Sequence, residues 1–164
     1  MTISTTDLCD AHEDRLLDGR LQAFAPGFIG LGRRRDFAGP CTTLKLFEDN
    51  SLLADLVKTP GDGRVLVVDA GGSLRCAVFG GNLAKAAAQN HWVAVVIYGA
   101  ARDADEIDAC DLAVRALALH PRRSVKRGAG ERELPLSFLG VTVRPGMWLY
   151  GDRDGLLAST ERLP

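Results

Sequence analysis

Residues Gly80 to Glu106 read GGNLAKAAAQNHWVAVVIYGAARDADE. Two glycines open the stretch, an Ala-rich run extends from Leu83 to Gln89, and Val93 to Ile97 is unbroken apolar sequence. Glycine permits close backbone approach, alanine favours helix, and a short β-branched run suits a strand buried on both faces. The order predicted is glycine turn, helix, buried strand, charged turn. A helix and its following strand reverse the chain, so the helix start at Gly80 to Leu83 can meet the strand end at Arg102-Asp103. Free N–H groups and the helix dipole favour an anion at such a start. An anion cradle, a fixed cation and a carboxylate are therefore predicted in one place.

Residue chemistry gives that place a use. Asp103 is a hard oxygen ligand suited to Mg²⁺ or Mn²⁺, and one carboxylate plus waters suffices for Mg²⁺. Arg102 can fork onto a carboxylate or stabilise an oxyanion. The backbone of Gly80, Gly81, Asn82 and Leu83 can hold an acid group. Together they describe a site for a small 2-oxo acid, where a Lewis acid supports retro-aldol cleavage or β-decarboxylation. The competing reading makes Arg102 and Asp103 a surface pair that opens a helix, with Glu106 completing its cap.

The flanking sequence predicts a mixed α/β domain. Arg64 to Asp69 reads as a central strand, Leu74 to Phe79 as another, and Thr42 to Phe47 as a third. Leu52, Leu53, Leu56 and Val57 have helical spacing after the turn Glu48 to Ser51. Thr6-Asp7 precedes a short helix through Leu8 to His12. A helix is also predicted from Glu106-Ile107 to His120-Pro121, with Leu112, Ala113, Ala116, Leu117 and Leu119 as its apolar positions. Short strands fall at Leu134 to Phe138, Val141 to Val143 and Met147 to Tyr150. Arg33-Arg34-Arg35 suits an acidic partner or a phosphate, and Arg122 to Gly130 an acidic protein or nucleic acid, but a solvated turn and an exposed loop are the favoured readings. Asp69, at a strand end, suits either turn capping or orienting a ligand; Asp10 and His12 suit either function or a surface helix, the second being favoured, and His91 lacks a nearby partner.

The 164 residues suit one domain spanning 1–164, with 46% hydrophobic and 25% charged residues. A net charge of −1 argues against direct nucleic-acid binding or attraction to anionic membrane. No apolar run has the length of a membrane span, and no secretory signal pattern opens the chain. Cys9, Cys41, Cys76 and Cys110 are scattered, which fits reduced thiols in a cytoplasmic protein and argues against zinc.

The chain resembles, over nearly its whole length, the family of the regulator of ribonuclease activity A (RraA) and the class II 4-hydroxy-4-methyl-2-oxoglutarate aldolases. The resemblance rests on Leu8-Cys9-Asp10, Phe47 to Asn50, Gly63 to Asp69, Gly71 to Leu74, Gly80 to Ala84, Arg102-Asp103 and Gly128 to Arg132. The aldolase signature (glycine, twenty residues, Arg-Asp, two residues, an acid) fits Gly81, Arg102, Asp103 and Glu106. The resemblance implies a β/β/α swivelling domain in three layers, assembled as a homotrimer with sites near subunit boundaries. It also implies backbone binding of a substrate carboxylate at Gly80 to Leu83, a substrate oxygen on Arg102 and a divalent metal on Asp103. The activity implied is cleavage of 4-hydroxy-4-methyl-2-oxoglutarate to two pyruvates, with oxaloacetate decarboxylation as a second reaction. The alternative within the family is a non-catalytic inhibitor that binds ribonuclease E or an associated helicase.

Departures accompany the match. Many members carry Asp where this chain has Gly81, and Arg where it has Cys76. Gly81 in place of that Asp predicts that decarboxylation outlasts aldol cleavage, and that Gly81→Asp raises cleavage selectively. Regulators of ribonuclease E in the family typically lack the carboxylate that Asp103 supplies. Glu48 and Glu131 are candidates to reach a neighbouring subunit's site. An old assignment of the family to menaquinone methylation finds no adenosine-binding glycine motif here.

Overall fold

The computed structural model describes residues 2–164. In chain order, α1 (Thr5–Ala11) and α2 (Glu13–Asp18) lead into β1 (Leu21–Ala23), β2 (Ile29–Leu31) and the long β3 (Phe37–Lys45). Helix α3 (Ser51–Leu56), β4 (Val65–Asp69), β5 (Ala77–Phe79), α4 (Gly81–Gln89) and β6 (Ala94–Ala101) follow. Helix α5 (Ala104–Asp108) precedes β7 (Ala113–Leu119). The chain closes with β8 (Glu131–Arg132), β9 (Leu136–Phe138), β10 (Val141–Val143), β11 (Trp148–Gly151) and β12 (Leu156–Ser159).

Strands β3, β4, β6 and β7 lie side by side and parallel. Every residue of β4 is buried, as its unbroken apolar sequence requires of a central strand. Its side chains divide by alternation. Leu66 and Val68 join the cluster shared with Leu53 of α3, Ala84 and Ala87 of α4 and Ile107 of α5. Val65 and Val67 join the cluster shared with Phe138, Val143, Leu149 and Ala158. One face of the parallel sheet thus carries helices α3 to α5, and the other carries the antiparallel strands. Three layers result, two of strand and one of helix, the α/β architecture that the resemblance implied. Strand β3 joins the two sheets: Phe37 to Pro40 pair with β11, and Cys41 to Lys45 pair with β4. Helices α1 and α2 pack outside β1 and β12 around Leu21, Tyr150 and Leu157.

The predicted helix over 106–119 is corrected. Helix α5 ends at Asp108, and Ala113–Leu119 is strand β7, between β6 and β2. Alanine and leucine favour helix in isolation, but here Ala113 to Ala116 are buried and the strand is paired with β6 and β2, and that context overrides propensity. Small side chains let β7 sit close to both layers. The strand predicted from Leu74 shrinks to Ala77–Phe79, and the one predicted from Thr42 begins earlier, at Phe37. The first helix starts at Thr5, capped by Ser4 Oγ accepting from the Asp7 N–H at 3.2 Å.

Candidate functional site

The parallel strands end along one edge, at Lys45, Asp69, Ala101 and Leu119. Ligands in open α/β sheets collect outside such carboxyl ends. The chain leaves β6 at Ala101 and reaches Asp103 in the left-handed region, at φ 63° and ψ 51°. Aspartate tolerates that region better than most side chains. Asp103 is therefore the residue before α5, with its side chain turned across to the start of α4. There its Oδ2 accepts the Gly81 N–H at 3.0 Å. The first intrahelical bond runs from Ala84 N–H to Gly80 O at 3.0 Å, so the Asn82 and Leu83 N–H groups precede it. These are the donors an acid group would use.

Gly80 is required for this approach. A Cβ there would lie 2.7 Å from Asp103 Oδ2 and 3.3 Å from Arg102 Cγ. Arg102 is anchored by its N–H to Phe79 O at 2.9 Å, and its Nη1 reaches Pro121 O at 3.5 Å. Its Nε is 4.0 Å from Asp103 Oδ2, and both side chains are 39% exposed, so each remains open to a ligand. Gly80, Gly81, Asn82, Leu83, Arg102 and Asp103 are thus brought together as the sequence predicted. Asn82 is exposed, whereas Leu83 also packs on the helix-side core.

Glu106 changes the expectation attached to Gly81. A Cβ on Gly81 would collide with Glu106 Oε2 and come 2.8 Å from its Cβ and Cδ. The Glu106 carboxylate already fills the place where a side chain at 81 would go. It is steadied by Lys85 Nζ at 3.5 Å, one turn along α4. Gly81→Asp is therefore not a simple gain of an acid, because the two side chains compete for one volume. The sequence put Glu106 in the signature but could not show this overlap.

Nearby polar groups have structural partners. Asp69 Oδ1 accepts the Gly71 N–H at 2.8 Å and Oδ2 pairs with Lys45 Nζ at 2.9 Å, so Asp69 caps its turn. Arg75 binds Glu48 through Nε at 2.6 Å and Nη2 at 2.8 Å, which lowers the Glu48 pKa. Burial pushes the Asp49 carboxyl up. Hydrogen bonds from Ser51 and from the Arg127 and Ala129 N–H groups outweigh it and bring the group to about 2. Asp49 thereby ties down the basic segment, which is otherwise mostly exposed. Glu131 is exposed on β8. All four cysteines are free.

No group of three or more His, Cys, Asp or Glu that could hold a metal occurs among the described residues. Asp103 is the carboxylate at the helix mouth whose second oxygen, Oδ1, takes no protein hydrogen bond. One hard oxygen, exposed and oriented by a backbone donor, fits a cation that keeps most of its waters.

Comparison with known proteins adds the lineage. The family model described as RraA-like, Aldolase/RraA, matches residues 5–158. A protein of Cupriavidus necator, named provisionally as a 4-hydroxy-4-methyl-2-oxoglutarate aldolase, is 56% identical over 159 residues, covering 97% of this chain and 96% of its own. The solved structure of the RNA-processing inhibitor RraA from Thermus thermophilis is 43% identical with a TM-score of 0.92, covering 100% of this chain and 96% of that one. A structure titled as the S-adenosylmethionine:2-dimethylmenaquinone methyltransferase of Geobacillus kaustophilus is 38% identical with a TM-score of 0.91, covering 98% and 97%.

Proposed function

This chain belongs to the RraA-like, Aldolase/RraA family, and from that premise we propose that it is a divalent-metal-dependent lyase. Its reaction is cleavage of 4-hydroxy-4-methyl-2-oxoglutarate to two pyruvates, with oxaloacetate decarboxylation as a second activity. The observation that carries this is the convergence of Asp103, Arg102 and Glu106 on the first turn of α4. The 56% identity to a protein named for that aldolase supports the substrate.

Asp103 is the residue that would hold Mg²⁺ or Mn²⁺. Bound there, the ion supplies Lewis acidity toward a 2-oxo acid. The Asn82 and Leu83 N–H groups bind the substrate carboxylate, and Arg102 binds a substrate oxygen as negative charge develops. Glu106 accepts the proton of the substrate hydroxyl. The carbon–carbon bond then breaks, the hydroxyl carbon becomes the keto carbon of one pyruvate, and the bonding pair leaves on the other as its enolate. Return of a proton to the enolate carbon completes the second pyruvate. Decarboxylation releases CO₂ to the same enolate and needs no hydroxyl proton removed.

In this proposal residues 1–164 form one domain, the protein is a homotrimer, and it works in the cytoplasm. Exposed Phe47 (59%), Leu74 (51%) and Val125 (46%) offer apolar surface for assembly. No described helix is long and apolar enough to cross a membrane. The test is pyruvate release from both substrates, with Mg²⁺ or with a chelator, by wild type and Asp103→Asn. Metal-dependent release by wild type and none by the variant supports the proposal; chelator-resistant release overturns it.

A second reading is favoured by the relative named as an RNA-processing inhibitor. In it the chain binds ribonuclease E or an associated helicase without catalysis. Inhibition of ribonuclease E by an Asp103→Asn protein that lacks lyase activity would support that role.

A further inference from the structure

A cavity of about 360 Å³ lies away from the helix mouth, between β2, the 24–28 segment and the turn after β11. Its floor is Arg115, in the middle of β7. Val114 and Ala116 face the helix-side core, so Arg115 points to the opposite face of the sheet from α4 and α5. The residue is only 8% exposed. Its guanidinium donates to three backbone carbonyls: Nη1 to Val114 O at 3.2 Å, and Nη2 to Arg35 O at 2.8 Å and Asp152 O at 3.0 Å. It forms no ion pair among the described residues. Five N–H donors thus meet three acceptors; the guanidinium lies over the Phe37 ring at 5.5 Å, and the nearby Asp152 carboxylate makes no direct ion pair with it. Burial pulls the Arg115 pKa down, the Asp152 carboxylate opposes it, and the guanidinium stays charged.

The rest of the cavity defines what would complete it. Phe24 and Phe28 meet edge to face, with ring centroids 6.3 Å apart, and supply an apolar wall. Arg35 and Arg153 stand at the rim. Asp152 also lines it, but its carboxylate is taken up by Thr5 and by the Asp154 and Gly155 N–H groups. Gly30, paired with Arg115 across the strands, places no side chain against the guanidinium; a Cβ there would touch only Arg115, at 3.4 Å from Nη1. The volume suits a small ligand. We propose that this cavity is a second binding site, for a small monocarboxylate with a ring-shaped apolar body, its acid group on Arg115 and its ring against Phe24 and Phe28. Arg34 is paired with Asp111, and Asp152 and Asp154 offset Arg35 and Arg153 around the cavity, so one acid group balances the charge of Arg115.

Benzoate is the probe, with benzyl alcohol as its uncharged counterpart. Each is titrated into the full-length protein and followed by calorimetry and amide shifts. Benzoate binds one per chain, shifts amides of residues 24–35 and 152–156, and outcompetes benzyl alcohol at least tenfold. Arg115→Met weakens it about ten- to hundredfold, the worth of one charged hydrogen-bonded pair. Because Arg115 also holds three carbonyls, Gly30→Val provides the second variant. It fills the space above the guanidinium without removing any hydrogen bond, and it too abolishes binding. Unchanged affinity in Gly30→Val overturns the proposal, as does equal binding of benzyl alcohol. Loss of binding in Arg102→Ala would assign benzoate to the helix mouth, and a second copy's side chain seated in the cavity of a crystal would assign it to assembly. Either result also overturns it.

Discussion

Replacing Asp103 separates its structural work from its chemical work. Two terms favour aspartate over alanine at this position. Its φ of 63° lies in the left-handed region, where alanine costs about 1–2 kcal/mol and aspartate or asparagine less. Its Oδ2 also accepts the Gly81 N–H at the open end of α4, a cap-like bond worth about 0.5–2 kcal/mol. The 4.0 Å contact with Arg102 is exposed and adds little. Asp103→Ala loses both terms, so it is destabilised by about 2–3 kcal/mol. With a urea slope of about 2 kcal/mol per M, its midpoint falls by about 1 M. Asp103→Asn keeps an oxygen for Gly81 and keeps left-handed tolerance, so its midpoint stays within about 0.5 M of wild type. Pyruvate release is lost in both, because an amide does not replace a carboxylate as a ligand for Mg²⁺. The assays are urea unfolding followed by circular dichroism and coupled pyruvate detection. An active Asp103→Asn would refute the chemical role, and an Asp103→Ala protein as stable as wild type would refute the structural one.

The overlap of Gly81 with Glu106 predicts coupling: Gly81→Ala destabilises a Glu106 protein by about 1–2 kcal/mol more than a Glu106→Gly protein, measured as a double-mutant cycle. Glu106→Gln should lower aldol cleavage at least tenfold while oxaloacetate decarboxylation falls much less, since only cleavage removes a hydroxyl proton. Equal losses in the two steady-state assays would remove Glu106 from proton transfer. Asp49, held at about 2 against an ordinary 3.8, stabilises the fold above the unfolded pKa and loses that contribution as pH falls through the folded one. That contribution is about 2 kcal/mol at neutral pH, lost between about pH 4 and pH 2. Asp49→Asn should flatten that stretch of the pH–stability curve and loosen residues 127–129 in hydrogen exchange. Burial pushes the Cys41 thiol up to about 12, so iodoacetamide at pH 8 should label Cys41 only after unfolding.

The sequence by itself determined the local grammar of the site. Gly80-Gly81 before an Ala-rich run reads as a turn into a helix, and Val93 to Ile97 reads as a buried strand, which the structure places at Ala94–Ala101. The helix mouth and the Arg102-Asp103 corner follow from that order, because a helix and strand must reverse. Residue types at a short chain distance carry this information, and so did the family signature. Tertiary structure alone decided the rest. Ala113–Leu119 became a strand because its neighbours on both faces left room for small side chains, which no propensity records. Glu106 and Gly81, twenty-five positions apart, share one volume only because α5 crosses the start of α4. Arg115 looks like an ordinary cation in the chain. Packing buried it without a direct ion pair, on carbonyls of residues 35 and 152 that lie far apart in the sequence.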